Sequence, residues 1–246
     1  MSQRHAYDIL AFARDRLAFE PGPDQLLALD ATIQHGLLNC CRQWGKSTTA
    51  AIRALHHAIY TPGSLTVVAS PCERQSAEFV RKAAGFLPRL GIPERGDGDN
   101  DTSLVFPNGS RIVGLPGREG TTRGFSNVSL LLIDEASRVP DTFYHALRPM
   151  TATNADAAIW LMSTPNGRQG FFYHEWAQGG PIWTRIEAPA TQCPRIRPEY
   201  LERERGHTPE QFFRQEYLCE FVAADHAYCD PDAIDDAFQC DEDEEP

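Results

Sequence analysis

The sequence predicts an α/β fold: a mainly parallel central sheet flanked by helices, with a small helical lid at the C-terminal end. Three observations predict it. Short apolar runs alternate with stretches of helical composition through the first 190 residues, the pattern of strand–helix–strand units. One run, Ser129-Leu130-Leu131-Leu132-Ile133, is apolar almost throughout, as a central strand covered on both faces requires. Two runs end in residues that suit a ligand at the carboxyl edge of such a sheet: Gly45-Lys46-Ser47-Thr48 after one, Asp134-Glu135 after another.

The elements follow in order. Residues 5–19 bring Ile9, Leu10, Ala13 and Leu17 together at helical spacing. Pro21, Gly22 and Pro23 interrupt the chain, and Asp24 is placed to cap a short helix reaching Leu29. Leu37-Leu38-Asn39-Cys40 reads as a strand, and KSTTAAIRALHHAIY as a helix that stops at Thr61-Pro62-Gly63. Leu65 to Ala69 is the next strand, Glu73 to Phe86 the next helix, and residues 91–101 a polar loop. Ser103 to Phe106 and Ser110 to Leu115 form two strands about the turn Pro107-Asn108-Gly109. Residues 117–124 are a loop rich in Gly and Arg. Ala157 to Met162 and Ile182 to Ile186 are further strands, and residues 198–205 and 208–217 short helices. The division is a core over residues 1–190, a lid or linker over 191–224 and an acidic tail over 225–246.

Composition narrows the classes. A chain of 246 residues that is 41% hydrophobic can bury one sizeable core. No apolar run approaches the length of a membrane span, and the N-terminus carries charge where a secretory signal would be apolar. The expectation is a cytoplasmic protein with no membrane partner. The seven cysteines are odd in number and form no C-x-x-C pair, which favours reduced thiols over disulfides or zinc. His56 and His57 are adjacent on a helix and point apart, so they make no metal pair. The net charge of -11 is concentrated: ten acids and no Lys or Arg lie between Asp225 and Pro246, leaving 24 acids against 23 bases before them. A nearly neutral body neither requires nor excludes nucleic acid. The tail, ending DEDEEP, reads as solvated and poorly ordered.

The motifs carry the chemistry. A nucleoside triphosphate needs backbone N–H groups at a helix N-terminus, a lysine for its terminal oxygens and a hydroxyl for Mg²⁺. Gly45, Lys46 and Ser47 supply them, although Cys40 stands where the usual loop begins with glycine. By itself GKST is also how an ordinary helix can begin. Asp134 and Glu135, at the end of a buried strand, offer one carboxylate for the metal shell and one to take a proton from an attacking water. Ser163 and Thr164 follow another strand and can sense the terminal phosphate, although STPNG is also plain turn chemistry. The Gln25 amide can pair with an adenine edge, donating and accepting at once. Arg42 lies within the loop; Arg118 and Arg123 precede the Asp-Glu strand.

In order and spacing, CRQWGKST, TVVASPCERQ, TTRGFSNVSLLLIDEAS, LMSTPNG and FRQEYLCEF resemble the ATPase domain of viral terminase large subunits, the motors that drive phage DNA into capsids. The resemblance runs from about Gln25 to Phe221. It implies a P-loop NTPase fold of the ASCE type, with ATP and Mg²⁺ as ligands. It implies that Gln43, Gly45, Lys46, Ser47 and Thr48 bind the nucleotide, with Ser47 and Asp134 on the metal side. Glu135 would be the catalytic base, Arg42 a γ-phosphate contact, Ser163-Thr164-Pro165 the coupling segment and Gln25 the adenine contact. Arg123 would reach into a neighbouring subunit's site. The implied partners are double-stranded DNA, a homo-oligomeric ring on a portal and a small terminase subunit, in the host cytoplasm. Arg74, Arg111 and Arg118 are candidate DNA contacts, acting on phosphates with little regard for sequence.

Full members of the resembled family continue into a ribonuclease-H-like nuclease. This chain ends about 25 residues after FRQEYLCEF, so no nuclease activity is expected of it. Two alternatives stand beside the packaging motor: a helicase-like ATPase acting on nucleic acid, and an inactive prophage fragment.

Overall fold

The computed structural model describes residues 3–96, 98, 102–117 and 124–223. Seven strands form one sheet: β1 (His35–Cys40), β2 (Leu65–Ser70), β3 (Ser103–Val105), β4 (Arg111–Pro116), β5 (Leu130–Asp134), β6 (Ala158–Ser163) and β7 (Thr184–Ala188). Their order across the sheet is β3-β4-β2-β5-β6-β1-β7, and every neighbouring pair is parallel except β3 with β4. This is the predicted class. β6 lies between β1 and β5, the arrangement that defines the ASCE type. Register then aligns the three chemical segments: Asn39 pairs with Ser163, and Asp134 with Met162. The carboxyl ends of β1, β6 and β5 therefore stand side by side.

The period-two geometry of a strand explains why the central strands are apolar without alternation. Leu38, Leu130, Leu132, Trp160 and Met162 face one layer of the core, packed by the helices α2 (Ile9–Leu17), α4 (Lys46–Tyr60) and α5 (Glu73–Ala84). Leu37, Leu131, Ile133, Ile159 and Leu161 face the other, packed by α7 (Asp141–Leu147) and α8 (Gly170–Gln178). Neighbouring strand residues thus serve opposite layers. Gly36 has a packing reason to be glycine: a Cβ there would stand 2.3 Å from the Trp160 ring.

Several predicted elements differ in detail. The N-terminal helix is two, α1 (Gln3–Tyr7) and α2, because Asp8 is extended and its carboxylate accepts from Ala11 N–H at 2.9 Å, starting a new helix. Asp24 does not cap α3 (Pro23–Ala28). It lies in the first turn, and the cap is Gln25, whose Oε1 accepts from Gly22 N–H at 2.9 Å. The helix predicted to Phe86 stops at Ala84, and the short α6 (Leu87–Leu90) follows. Sequence patterns alone assign no helix to α7 or α8. Their short segments, DTFYHAL and GFFYHEWAQ, are dominated by aromatic residues of middling helix propensity, and adjacent Phe171 and Phe172 blur the 3.6-residue period. The predicted C-terminal pair is present as α9 (Pro198–His207) and α10 (Glu210–Leu218). The acidic tail from Asp225 lies outside the described residues. Among those described, no helix is long and apolar enough to cross a membrane.

Candidate functional site

The site starts where β1 ends. Cys40 is still a strand residue, paired with Ala188 of β7, so its backbone never enters the loop's turn. That removes the need for glycine there. The turn is made later, by Gln43 at φ 64° and Gly45 at φ 99°. Burial pushes the Cys41 thiol up to about 12, which keeps it protonated and inert.

α4 begins at Lys46, so the N–H groups of Lys46, Ser47 and Thr48 have no acceptor within the helix. This is the anion-binding end of a 15-residue helix. The Lys46 ammonium is buried and folds back on the loop, donating to the carbonyls of Cys40 at 3.3 Å and Cys41 at 3.5 Å. Ser47 Oγ donates to Asp134 Oδ2 at 3.0 Å. Two sequence motifs are thereby brought to one place. Burial raises the Asp134 carboxyl above its usual range, and the neighbouring Glu135 charge adds to the rise; Lys46 and Ser47 partly offset it.

Glu135 occupies the left-handed region at φ 53°, ψ 44°, strained for a residue with a side chain. Its N–H donates to Asp134 Oδ1 at 3.1 Å. Its carboxylate accepts from Arg138 Nη1 at 3.2 Å. The same Nη1 donates to Thr164 Oγ1 at 3.2 Å, and Nη2 donates to Glu216 Oε1 at 3.0 Å. Ser163 Oγ lies 2.7 Å from Ser137 Oγ. The Asp-Glu segment and the Ser-Thr-Pro segment are therefore joined by two side-chain links.

Of the other predicted residues, Arg42 and Gln43 are exposed beside a cleft of 1160 Å³ that Arg195, Arg197, Tyr200 and Tyr217 also line. Thr48 is half-buried in the first turn of α4. Gln25 is buried. Besides capping Gly22, its Nε2 donates to Trp44 O at 3.1 Å, at the wall of a smaller cavity of 220 Å³ with Phe19, Asp24 and Arg195. Arg123 and Arg118 lie outside the described residues. Arg74 and Arg111 do not share a surface: Arg74 follows the carboxyl end of β2, whereas Arg111 opens β4 opposite Leu65, at the amino end of the sheet.

Four further residues enter the site without having been singled out from the sequence. Ser137 and Arg138 follow Glu135 closely, and Arg138 stands at helical spacing from it, a signal visible in the sequence. Arg195 donates through Nη2 to Trp44 O, and an added Cβ on Gly45 would lie 2.9 Å from that nitrogen. Glu216 comes from α10. Nothing local marks Arg195, and Glu216 lies within FRQEYLCEF, whose resemblance flags the segment but not this residue.

Residues 37–235 match the family described as terminase large subunit, T4likevirus-type, N-terminal. The chain belongs to that family. Relatives of this terminase chain include the terminase large subunit of Thermus virus P23-45, 24% identical, with 84% of this chain aligned to 50% of that protein. The chain spans about half the length of the curated relatives it matches. Among solved structures it resembles the Thermus phage P74-26 large terminase ATPase domain, with a TM-score of 0.73 and 22% identity over 85% of this chain and 97% of that one. It also resembles a large terminase from another thermophilic bacteriophage, solved in complex with ATP-γ-S, with a TM-score of 0.66 and 13% identity over 81% of this chain and 52% of that one. These likenesses establish the fold of the terminase chain: a mainly parallel α/β sheet with the ASCE strand order.

Proposed function

We propose that this chain is an ATP-hydrolysing motor domain that powers the movement of double-stranded DNA into a phage capsid. The hydrogen bond from Ser47 to Asp134 carries the reading, because it seats the phosphate loop against the acidic strand end. The bacteriophage terminase solved in complex with ATP-γ-S supports the choice of nucleotide.

Lys46, the first N–H groups of α4 and the loop residues Gln43, Gly45 and Thr48 bind the phosphates. Arg42, exposed at the cleft, contacts the terminal one. Glu135 accepts the proton of the attacking water. Its carboxylate is only partly buried and is oriented by Arg138. Gln25 contacts the adenine from the smaller cavity. One of its two N–H groups and one of its oxygen lone pairs are committed to Trp44 and Gly22, which orients the amide. Ser163 and Thr164, tied to Ser137 and Arg138, carry the state of the site towards α10.

The residues present fit Mg²⁺. Ser47 and Asp134 are hard oxygen donors, and the Asp134 carboxylate, raised first by burial and then by the Glu135 charge, is a buried anion that a cation would stabilise. Among the described residues no cluster of three or more His, Cys, Asp or Glu forms a metal cage, which suits a metal held largely by the substrate's own phosphates. When bound, the ion neutralises charge on the transferring phosphoryl group.

The partners follow from the motor reading: double-stranded DNA held through its phosphates, a homo-oligomeric ring on a portal, and a small terminase subunit, in the host cytoplasm. Arg123 acts across the subunit boundary. Phosphate release from ATP by the concentrated protein, with Mg²⁺ and with or without duplex DNA, tests the reading. Glu135→Gln should lower turnover by at least about 100-fold while leaving ATP binding intact. A parent protein that binds ATP but never hydrolyses it, with or without DNA, would end the motor assignment.

A further inference from the structure

Four thiols gather beside the phosphate loop. Cys40 ends β1 and Cys41 follows it; Cys193 follows the turn Ala190–Gln192, and Cys219 caps the end of α10. All four are buried in one layer of the core, and the chemistry proposed above uses none of them. Cys41 N–H donates to Ala188 O at 3.0 Å, Cys219 Sγ donates to the same carbonyl at 3.4 Å, and Cys193 N–H donates to Ala190 O at 3.2 Å. Within this cluster the Cys41 and Cys193 thiols are hydrogen-bonded to each other. Two residues on, Arg195 donates to Trp44 O. The segment from Cys193 to Arg195 therefore touches the loop at two points, and one of them is a thiol pair.

We propose that Cys41 and Cys193 form a reversible disulfide that fastens the phosphate loop to the segment leading into α9, a redox brake on the site. Cys193 lines the 220 Å³ cavity beside Gln25 and Arg195, which gives a small peroxide a way to its sulfur. Cys41 lies deeper, keeps its proton and is inert towards the oxidant itself. The Cys193 sulfur attacks one peroxide oxygen and the O–O bond breaks. The other oxygen leaves as water with the Cys193 proton, and Cys193 becomes a sulfenic acid. The Cys41 sulfur then attacks the Cys193 sulfur. The S–S bond forms, the S–O bond breaks, and the hydroxyl leaves with the Cys41 proton as a second water. Two electrons pass from the thiol pair to the peroxide. A dithiol reverses the bond by exchange, and in a reducing compartment the pair rests as thiols. Bonding draws the two sulfurs from contact to about 2.0 Å, a shift on the order of 1 Å next to Arg42 and Gln43. A displacement of that size at a reacting site costs about 100-fold in turnover. That consequence rests on the proposed function; the bond itself does not.

Peptide mapping of the full chain after dilute hydrogen peroxide, with the remaining thiols alkylated and no reductant, tests the bond. Cys72, Cys229 and Cys240 are replaced by Ser in this parent so that they do not compete. The parent should lose two hydrogens in mass and yield one linked pair of peptides, carrying Cys41 and Cys193. Its ATP turnover should fall about 100-fold and return with dithiothreitol. Cys193→Ser, or Cys193→Ala if the first variant folds poorly, should form no bond and keep its own untreated rate through the same exposure. A link from Cys41 to Cys40 or Cys219, or no bond within the chain, would overturn the pairing. A Cys41–Cys193 link with undiminished turnover, or equal inactivation of the Cys193 variants, would overturn the brake. A parent that forms the bond but hydrolyses no ATP before treatment would instead overturn the proposed function and leave the bond standing.

Discussion

Ser47 and Asp134 lie 87 residues apart in the chain and share a hydrogen bond of 3.0 Å. The bond follows from strand order. With β6 inserted between β1 and β5, the helix after β1 leans its first turn over the end of β5, and a small hydroxyl meets a short carboxylate. The consequences of that meeting, and of the buried groups behind it, can be measured.

Asp134 should trade stability for function. Its carboxyl is raised above the ordinary 3.8 by burial and by Glu135. The sign follows from linkage: the fold holds that proton more tightly than the unfolded chain, so the penalty is absent below about 3.8 and grows as pH rises through the raised value. Asp134→Asn removes the penalty and can still accept from Ser47. It should melt higher than the parent at neutral pH without nucleotide, with the gap closing on acidification, while losing ATP turnover. A variant that melts lower at about pH 7.5 would contradict the electrostatic account.

His57 should make the fold acid-labile. Its ring lies 2.7 Å from Ser129 Oγ, and burial pushes its pKa down to about 4, with smaller contributions from Arg53 and His56. The imidazole is neutral in the fold but protonates near 6.5 when unfolded. Its contribution is complete above about pH 6.5 and is lost as pH falls towards 4, by roughly 3 kcal/mol at about 1.4 kcal/mol per unit. Urea melts at about pH 7.5 and about pH 4.5 should show a smaller pH difference for His57→Asn than for the parent.

Arg53 should be the most costly of the buried cations to remove. It donates to the carbonyls of Ala28 at 3.1 Å, Asp30 at 3.0 Å and Ile33 at 2.7 Å, and stacks 4.2 Å from the Trp160 ring. Burial lowers it to about 10, still charged at neutral pH. Arg53→Ala leaves three carbonyls without their donor and should cost about 3 kcal/mol in urea unfolding. Arg53→Lys should recover only part, because an ammonium cannot reproduce the planar fork.

Gln25 serves both the loop and, on the proposed function, the base. Gln25→Ala should cost about 1–2 kcal/mol in the absence of nucleotide, through the lost bonds to Gly22 and Trp44. Competition between ATP and GTP separates the two roles. Gln25→Glu keeps the acceptor for Gly22 but turns a buried carboxylate oxygen towards the Trp44 carbonyl, so it should erode the preference for ATP and lower stability as well. An unchanged preference would make Gln25 a cap and nothing more.

Much of this molecule is determined locally. The parallel sheet is legible in the sequence because buried strands must be short and apolar, and the runs at β1, β2, β5 and β6 are both. The boundaries of α4 are legible to the residue, since glycine starts it and Thr61-Pro62-Gly63 stops it. Lys46, Ser47, Asp134 and Glu135 stand out because phosphate and metal chemistry restricts which side chains can follow a strand. α7 and α8 do not: tertiary burial of Phe143, Tyr144, Phe171 and Phe172 stabilises helices whose own propensity is weak. The role of Gln25 as a cap, and the reach of Arg195 and Glu216 to the loop, could be decided only by the folded chain. A pair such as Arg42 and Glu216, 3.7 Å apart in space but far apart along the chain, leaves no periodicity or spacing in the sequence. Strand order and helix packing alone bring its partners together.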